Sequence, residues 1–326
     1  MSAVDQDIAS AAAIDAEHGL ELYRRMLTIR RVEDLIQALF LRGDVYGTTH
    51  LYSGQEAVAV GFASALEADD RVACTYRGHG HALALGTDPG ALVAELLGRE
   101  TGVNGGRAGS MNIIDLDHGL IGCFGIVGGS IAAATGAALA LRGSRRIAVA
   151  YFGDGTTNQA YFFECLNFAK VFSLPMVFVC ENNGYGEYTP MAQVTAGEIC
   201  SRATAMEIPA HTVDGMDVRA TRATALEVFA TVRDGGGPVF VEARTYRFVG
   251  HSRSDPGRYR PDGELAEWQK RDPLVVAREW MSESFDGGAE RLSAIDDEVA
   301  ELMATIEANG LAAPFPTPAP SSEFAQ

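Results

Sequence analysis

The sequence predicts an α/β protein whose mainly parallel sheet carries helices on both faces. Three short apolar runs, "RIAVAYF" from Arg146, "PMVFVC" from Pro175 and "PVFVEARTY" from Pro238, lack the polar alternation of half-exposed strands and read as strands buried on both sides. Between the first two lies "YFFECLNFAKVF", whose length and pattern suit a crossover helix, so the stretch reads as a βαβ unit. Gly153-Asp154-Gly155 and Asn182-Asn183 directly follow two of these strands. That places them at the strand carboxyl ends, the edge where such sheets take their ligands.

The flanks follow from pattern. Residues 1–45 form a helical N-terminal segment: Leu20, Tyr23, Leu27, Ile29, Val32, Leu35, Ile36 and Leu39 recur at three- and four-residue spacing, and Gly43 is a stop. Residues 46–285 form the main domain, and 286–326 a C-terminal helix with the Pro-rich tail "APFPTPAPSSEFAQ", expected to be extended. Residues 121–141, "IGCFGIVGGSIAAATGAALAL", contain no charge and are long enough for a bilayer, but their Gly and Ala content reads as a buried helix at a subunit or domain contact.

Composition excludes several classes. A formal net charge of -17 over 326 residues argues against a nucleic-acid surface and against anionic membranes. The five cysteines, Cys74, Cys123, Cys165, Cys180 and Cys200, are odd in number and form no C-x-x-C pair, which fits a reducing compartment. Residues 1–19 carry Asp5, Asp7, Asp15 and Glu17 and no Lys or Arg, unlike a secretory or transit leader, so a bacterial cytoplasmic location is expected. Residues 153–158 read GDGTTN rather than a dinucleotide-binding Gly-x-Gly-x-x-Gly, and neither a P-loop nor a Gly-x-Ser-x-Gly elbow is present.

A carboxylate on a glycine turn, with a second oxygen ligand from the neighbouring strand end, suits a hard cation such as Mg²⁺ that keeps water and substrate phosphates in its shell. Gly-Asp-Gly alone marks a turn. Gly-Asp-Gly, twenty-six residues, then Asn-Asn, with strand, helix and strand arranged around them, resembles the thiamine diphosphate fingerprint. Over roughly residues 20–285 the chain resembles the α subunit of the E1 component of 2-oxo acid dehydrogenase complexes, in the pyruvate and acetoin branch. The segments carrying this are "HLYSGQEAVAVG" from His50, "TYRGHGHALALG" from Thr75, "GGRAGSMN" from Gly105, "GIVGGS" from Gly125 and "RFVGHSRSDPGRYR" from Arg247.

The resemblance implies the thiamine diphosphate-binding fold and a set of roles. Asp154, Asn183 and the carbonyl of Tyr185 are expected to bind Mg²⁺. Tyr76, Arg77 and His251 are expected at the cofactor diphosphate with Gly155 and Thr156, while main-chain groups of Gly125 and Val127 hold the aminopyrimidine. His50 and His79 match active-site histidines, with His251, that orient substrate and assist proton movement; a strand-end His-x-His or a zinc pair is the bland alternative for His79 and His81. Ser252 and Ser254 coincide with a loop phosphorylated in mitochondrial relatives, but are expected here as loop hydrogen-bonding residues.

The expected reaction is cleavage of a C–C bond next to a carbonyl, in pyruvate or acetoin, with transfer of the two-carbon unit to a lipoyl group. A ketose phosphate donor with a carrier-protein thiol as acceptor, and a non-catalytic scaffold, are the alternatives. The implied partners are an E1 β-type subunit, in an α2β2 assembly, that supplies the activating glutamate, and the lipoyl domain of an E2 acyltransferase or an acyl carrier protein. Two positions depart from the family pattern: Phe124 stands where Asn is common, adding bulk beside the cofactor, and Ala160 stands where Gly is frequent.

Overall fold

The computed structural model describes residues 14–317. The acidic start of the chain and the end of the Pro-rich tail lie outside the described residues. The chain begins with the long helix Ala16–Arg42, where Asp15 caps the start by accepting from His18 N at 2.8 Å. Gly43 ends the helix at φ +83°, its N–H returning to the carbonyls of Leu39 and Phe40.

Six parallel strands follow: β1 (Arg71–Thr75), β2 (Leu120–Phe124), β3 (Ala148–Gly153), β4 (Met176–Asn182) and, after the small antiparallel hairpin of β5 (Tyr185–Gly186) and β6 (Thr189–Pro190), β7 (Ala210–Asp214) and β8 (Val239–Arg244). Their order across the sheet is β2-β1-β3-β4-β8-β7. Strand β3 shows why both faces must be covered. Val149 and Tyr151 pack with residues of the helices Ala16–Arg42, Glu56–Ala63 and Val218–Arg233. Ala148, Ala150 and Phe152 point the other way, into a cluster with the helices Gly129–Ala140 and Ala160–Val171. With a two-residue side-chain period, a strand apolar at every position needs a helical layer on each side. The helices Pro273–Ser284 and Gly288–Ala312 pack back towards the N-terminal helix.

Residues 121–141 correct the expectation of one buried helix. Their first part is β2, a turn follows, and the helix is Gly129–Ala140. Gly128 makes the turn at φ +81°, where an added Cβ would meet the Tyr161 ring at 2.5 Å. One face of the helix is buried by Ile131, Ala134 and Ala138, while Leu139 is 42% exposed. The lack of any charge from residue 121 to 141 hid both the strand boundary and the open face. The five cysteines are free thiols; Cys74 and Cys123 face each other across β1 and β2 with their sulfurs 3.3 Å apart. No helix among the described residues is long and apolar enough to cross a membrane.

From β1 the chain crosses to β2 on one side and then returns to β3 on the other. The carboxyl ends of β1 and β3 therefore flank a switch point, where the outgoing loops diverge and leave a crevice.

Candidate active site

That crevice is a cavity of about 400 Å³ at the carboxyl edge of the sheet. Thr75, Tyr76 and Arg77 enter it after β1, Phe124–Gly128 after β2, Gly153–Thr156 after β3, and Glu181, Asn183 and Tyr185–Glu187 from the end of β4 and the hairpin. His50, Gln55, Met111, Arg247 and His251 close it from loops distant in sequence. Of the expected site residues, His79 is the one that does not reach the wall. It opens the short helix His79–Leu85, fully buried, which also corrects the strand-end reading of His79 and His81.

Asp154 heads the 3-10 turn Asp154–Asn158 and is 1% exposed. Main-chain amides of Asp154, Gly155 and Asn183 support its carboxylate, yet burial dominates and lifts its pKa from 3.8 to about 6. Its Oδ2 has no hydrogen-bond partner. A buried carboxylate oxygen left in that state is costly and calls for a cation or a proton. Asn183 lies nearby in the cavity wall, its Nδ2 donating to Gln55 Oε1 at 3.0 Å and its Oδ1 accepting from Tyr185 N at 3.3 Å. Among the described residues no three His, Cys, Asp or Glu side chains form a metal-binding group. A cation here would rest on one carboxylate with amide and main-chain oxygens, a set that suits Mg²⁺ and does not suit zinc.

Two guanidiniums face the same space. Arg77, 5% exposed, donates to the carbonyls of Leu51 and of His251, the latter at 2.9 Å, and burial lowers its pKa to about 10. Arg247, 3% exposed, donates to Glu187 O at 3.0 Å and approaches His251 Nδ1 at 3.4 Å. Their hydrogen bonds to main-chain oxygens fix both forks without spending the charge on a carboxylate. An anion with several oxygens complements such a pair.

The imidazoles of His50 and His251 lie 5.0 Å apart, and the Tyr76 ring is 4.5 Å from His50. Burial, then Arg77, depresses His50 to about 3, and the same two causes depress His251 to about 4. Both rings are neutral near pH 7, and His50 Nδ1 is buried without a partner. They can therefore accept or pass a proton without first losing one.

Residues 24–318 match the family described as dehydrogenase E1 component. The chain belongs to that family. It is 40% identical over 308 residues to the α subunit of acetoin:2,6-dichlorophenolindophenol oxidoreductase of Bacillus subtilis, covering 93% of this chain and 92% of the relative. The corresponding subunit of Cupriavidus necator is 41% identical over 322 residues, with 98% and 97% covered. The pyruvate dehydrogenase E1 component α subunit of Rhizobium meliloti is 39% identical over 297 residues, with 90% and 85% covered. The main reading of the sequence, an E1 α subunit of the pyruvate and acetoin branch, agrees with these relatives.

Several wall residues of this E1 chain escaped the sequence reading. Gln55 and Arg247 stand inside segments that carried the resemblance, and Glu181 directly precedes Asn182, but none has a spacing that signals a role. Glu181 is 3% exposed and held from behind by Tyr52 Oη and by His81 Nε2 at 3.2 Å. Phe124 lines the cavity, its ring seated against Gly122 and Gly129. Ala160 is the first residue of its helix. Ser252 and Ser254 share a hydrogen bond of 3.2 Å on an exposed loop.

Proposed function

We propose that this cavity binds thiamine diphosphate with Mg²⁺, and that the chain is the α subunit of an E1 enzyme acting on acetoin or pyruvate. Family membership implies the organic cofactor. The observation that carries the metal is the buried, unpartnered Asp154 Oδ2 beside two guanidiniums at the sheet's carboxyl edge. Asp154, Asn183 Oδ1 and the carbonyl of Tyr185 would hold Mg²⁺; Tyr76, Arg77 and His251 would hold the diphosphate with Gly155 and Thr156. Gly125 and Val127 would hold the aminopyrimidine through their main chain, beside the apolar ring of Phe124.

The bound cofactor supplies a carbon nucleophile and an electron sink for C–C cleavage next to a carbonyl. The chain supplies orientation and proton traffic. Neutral His50 and His251 stand ready to hydrogen-bond a substrate oxygen and move its proton. Arg77 and Arg247 would pair with the cofactor's negative charge, and Met111, Phe124 and Val127 form an apolar flank of the cavity.

The site also asks for a second chain. Ile126 is 75% exposed and Val127 41% exposed at the cavity rim, an apolar edge that a β-type subunit would cover in an α2β2 assembly. Glu181 is engaged by Tyr52 and His81, and the family resemblance implies that the activating carboxylate comes from the partner. The acyl acceptor would be a lipoyl group. Coexpression with a β-type subunit and assay of 2,6-dichlorophenolindophenol reduction, the dye standing in for the lipoyl acceptor, tests the substrate and cofactor assignment. Acetoin- or pyruvate-driven reduction that needs thiamine diphosphate, Mg²⁺ and both subunits is expected. Failure with both substrates would refute the reading.

A further inference from the structure

Behind the cavity lie three polar residues that the function does not use. Glu33 and His79 are fully buried and Ser110 is 8% exposed. His79 Nδ1 is 3.0 and 3.2 Å from the two Glu33 carboxylate oxygens, and Nε2 is 2.9 Å from Ser110 Oγ. A carboxylate only accepts, so in the neutral ring Nδ1 carries the proton and the Ser110 hydroxyl donates to Nε2. Glu33 also accepts from Tyr52 N at 2.9 Å. This is the connectivity of an activated nucleophile. None of the three, however, lies on the cavity wall. Their effect must pass through what they hold.

What they hold is the loop that follows the helix Pro89–Leu96. It has no strand or helix of its own over 101–114. Gly105, Gly106 and Gly109 turn it with φ of +67°, +74° and +64°. A second buried carboxylate, Glu95, accepts four of its amides: Asn104 N at 2.8 Å, Gly106 N at 2.8 Å, Ala108 N at 2.6 Å and Gly109 N at 3.1 Å. Ser110 is the next residue and Met111 the one after it, on the cavity wall. Beyond it, Ile113 O accepts from Cys123 N at 2.9 Å, which keeps the segment beside β2 and Phe124.

Apolar residues would fill this space more cheaply than two carboxylates and an imidazole. Fully satisfied polar groups instead specify one loop conformation. We propose that the Glu33–His79–Ser110 chain, with Glu95, positions the loop so that Met111 forms the substrate-side wall, making His79 a positioning residue rather than a catalytic one. Met111 flanks the edge strand β2, whereas Asp154 and Asn183 stand at β3 and β4. Loosening the loop therefore acts on the β2 side of the cavity and leaves the cation and diphosphate end at β3 and β4 intact. The kinetic consequence rests on the thiamine diphosphate reading; the loop's anchoring does not.

The test uses Ser110→Ala, His79→Asn, which keeps a nitrogen near the Nδ1 position, and the double variant, each as full-length chain with its β-type partner. Hydrogen exchange without cofactor is expected to be about ten-fold faster at amides 104–111 in each variant, the size of one lost buried hydrogen bond. KM for the carbonyl substrate is expected to rise about ten-fold while Kd for thiamine diphosphate stays within two-fold. The double variant should match the worse single one, as residues acting in series do. Wild-type exchange and KM in Ser110→Ala would overturn the proposal. So would a cofactor Kd that rises together with KM, the mark of a merely structural role, or additive effects in the double variant. A wild-type complex that binds no thiamine diphosphate would refute the functional reading alone, with the exchange data still deciding the anchoring.

Discussion

Asp154→Asn in the metal-free chain isolates the electrostatic cost built into the site. Burial raises this carboxyl from 3.8 to about 6, so at pH 7.5 its ionised form burdens the folded state by about 3 kcal/mol. Asn has the shape of the protonated acid and no charge, so the variant recovers that amount. Spread over an unfolding entropy of ~2.1 cal/mol/K per residue for a chain of 326 residues, it raises Tm by about 4 °C. The sign follows from proton linkage. Between pH 3.8 and about 6 the folded wild type binds more protons than the unfolded chain, so its stability is greatest below that window and falls as pH rises through it. The variant's advantage is therefore full above pH 6 and gone below 3.8. Thermal unfolding in chelator across pH 4–8 measures this, and millimolar Mg²⁺ with thiamine diphosphate should reverse the order. Equal Tm values at pH 7.5 in chelator, or a less stable variant, would mean that the buried Asp154 carboxylate carries no such penalty.

Other outcomes follow from the same geometry. The His50 and His251 C2–H resonances should not titrate between pH 5 and 8, since burial and Arg77 hold their pKa values at about 3 and about 4; a midpoint near 6.5 for either would contradict this. Their depressed values also mean that folded stability is lost as pH falls below 6.5. Gly78→Ala would set a Cβ 2.2 Å from Cys123 Sγ and 2.9 Å from Cys74 Sγ, beneath the Arg77 turn, and should cost about 2–3 kcal/mol by overpacking in chemical denaturation. Arg233 bonds Asp70 at 2.9 Å with both side chains buried, so Arg233→Ala should cost about 3–5 kcal/mol. That pair lies at the opposite edge of the sheet, before β1, and cofactor affinity of the folded variant should be unchanged.

The parts of the fold legible in the sequence are those whose local chemistry has one solution. β3 is apolar throughout, and β4 and β8 open on the apolar runs MVFVC and VFV, which a doubly covered strand accommodates. β1 and β7 are five residues each and carry polar or small residues, so neither stands out from its surroundings. β2 was concealed because the uncharged run continues from it through the turn into the helix, with no polar residue to mark where the strand ends. At the site, Asp154 and Asn183 were legible because they follow strand ends at a telling spacing, and Arg77 and His251 because they stand in segments that carried the family resemblance. Gln55, Glu181, Met111 and Arg247 were not, because tertiary packing brings them in. Glu33 shows the limit most clearly: a carboxylate on an amphipathic helix reads as a solvated position, and only the structure reveals that it is fully buried against a histidine forty-six residues away.

Asp154 would anchor a cation through which the cavity binds thiamine diphosphate. Calorimetric titration of thiamine diphosphate into the complex with its β-type partner, with and without Mg²⁺, and into the same complex carrying Asp154→Ala, tests it most directly. Saturable binding that requires Mg²⁺ and is lost in Asp154→Ala is expected. Binding that is equally tight without Mg²⁺ or without Asp154, or no binding to the wild-type complex, would contradict it.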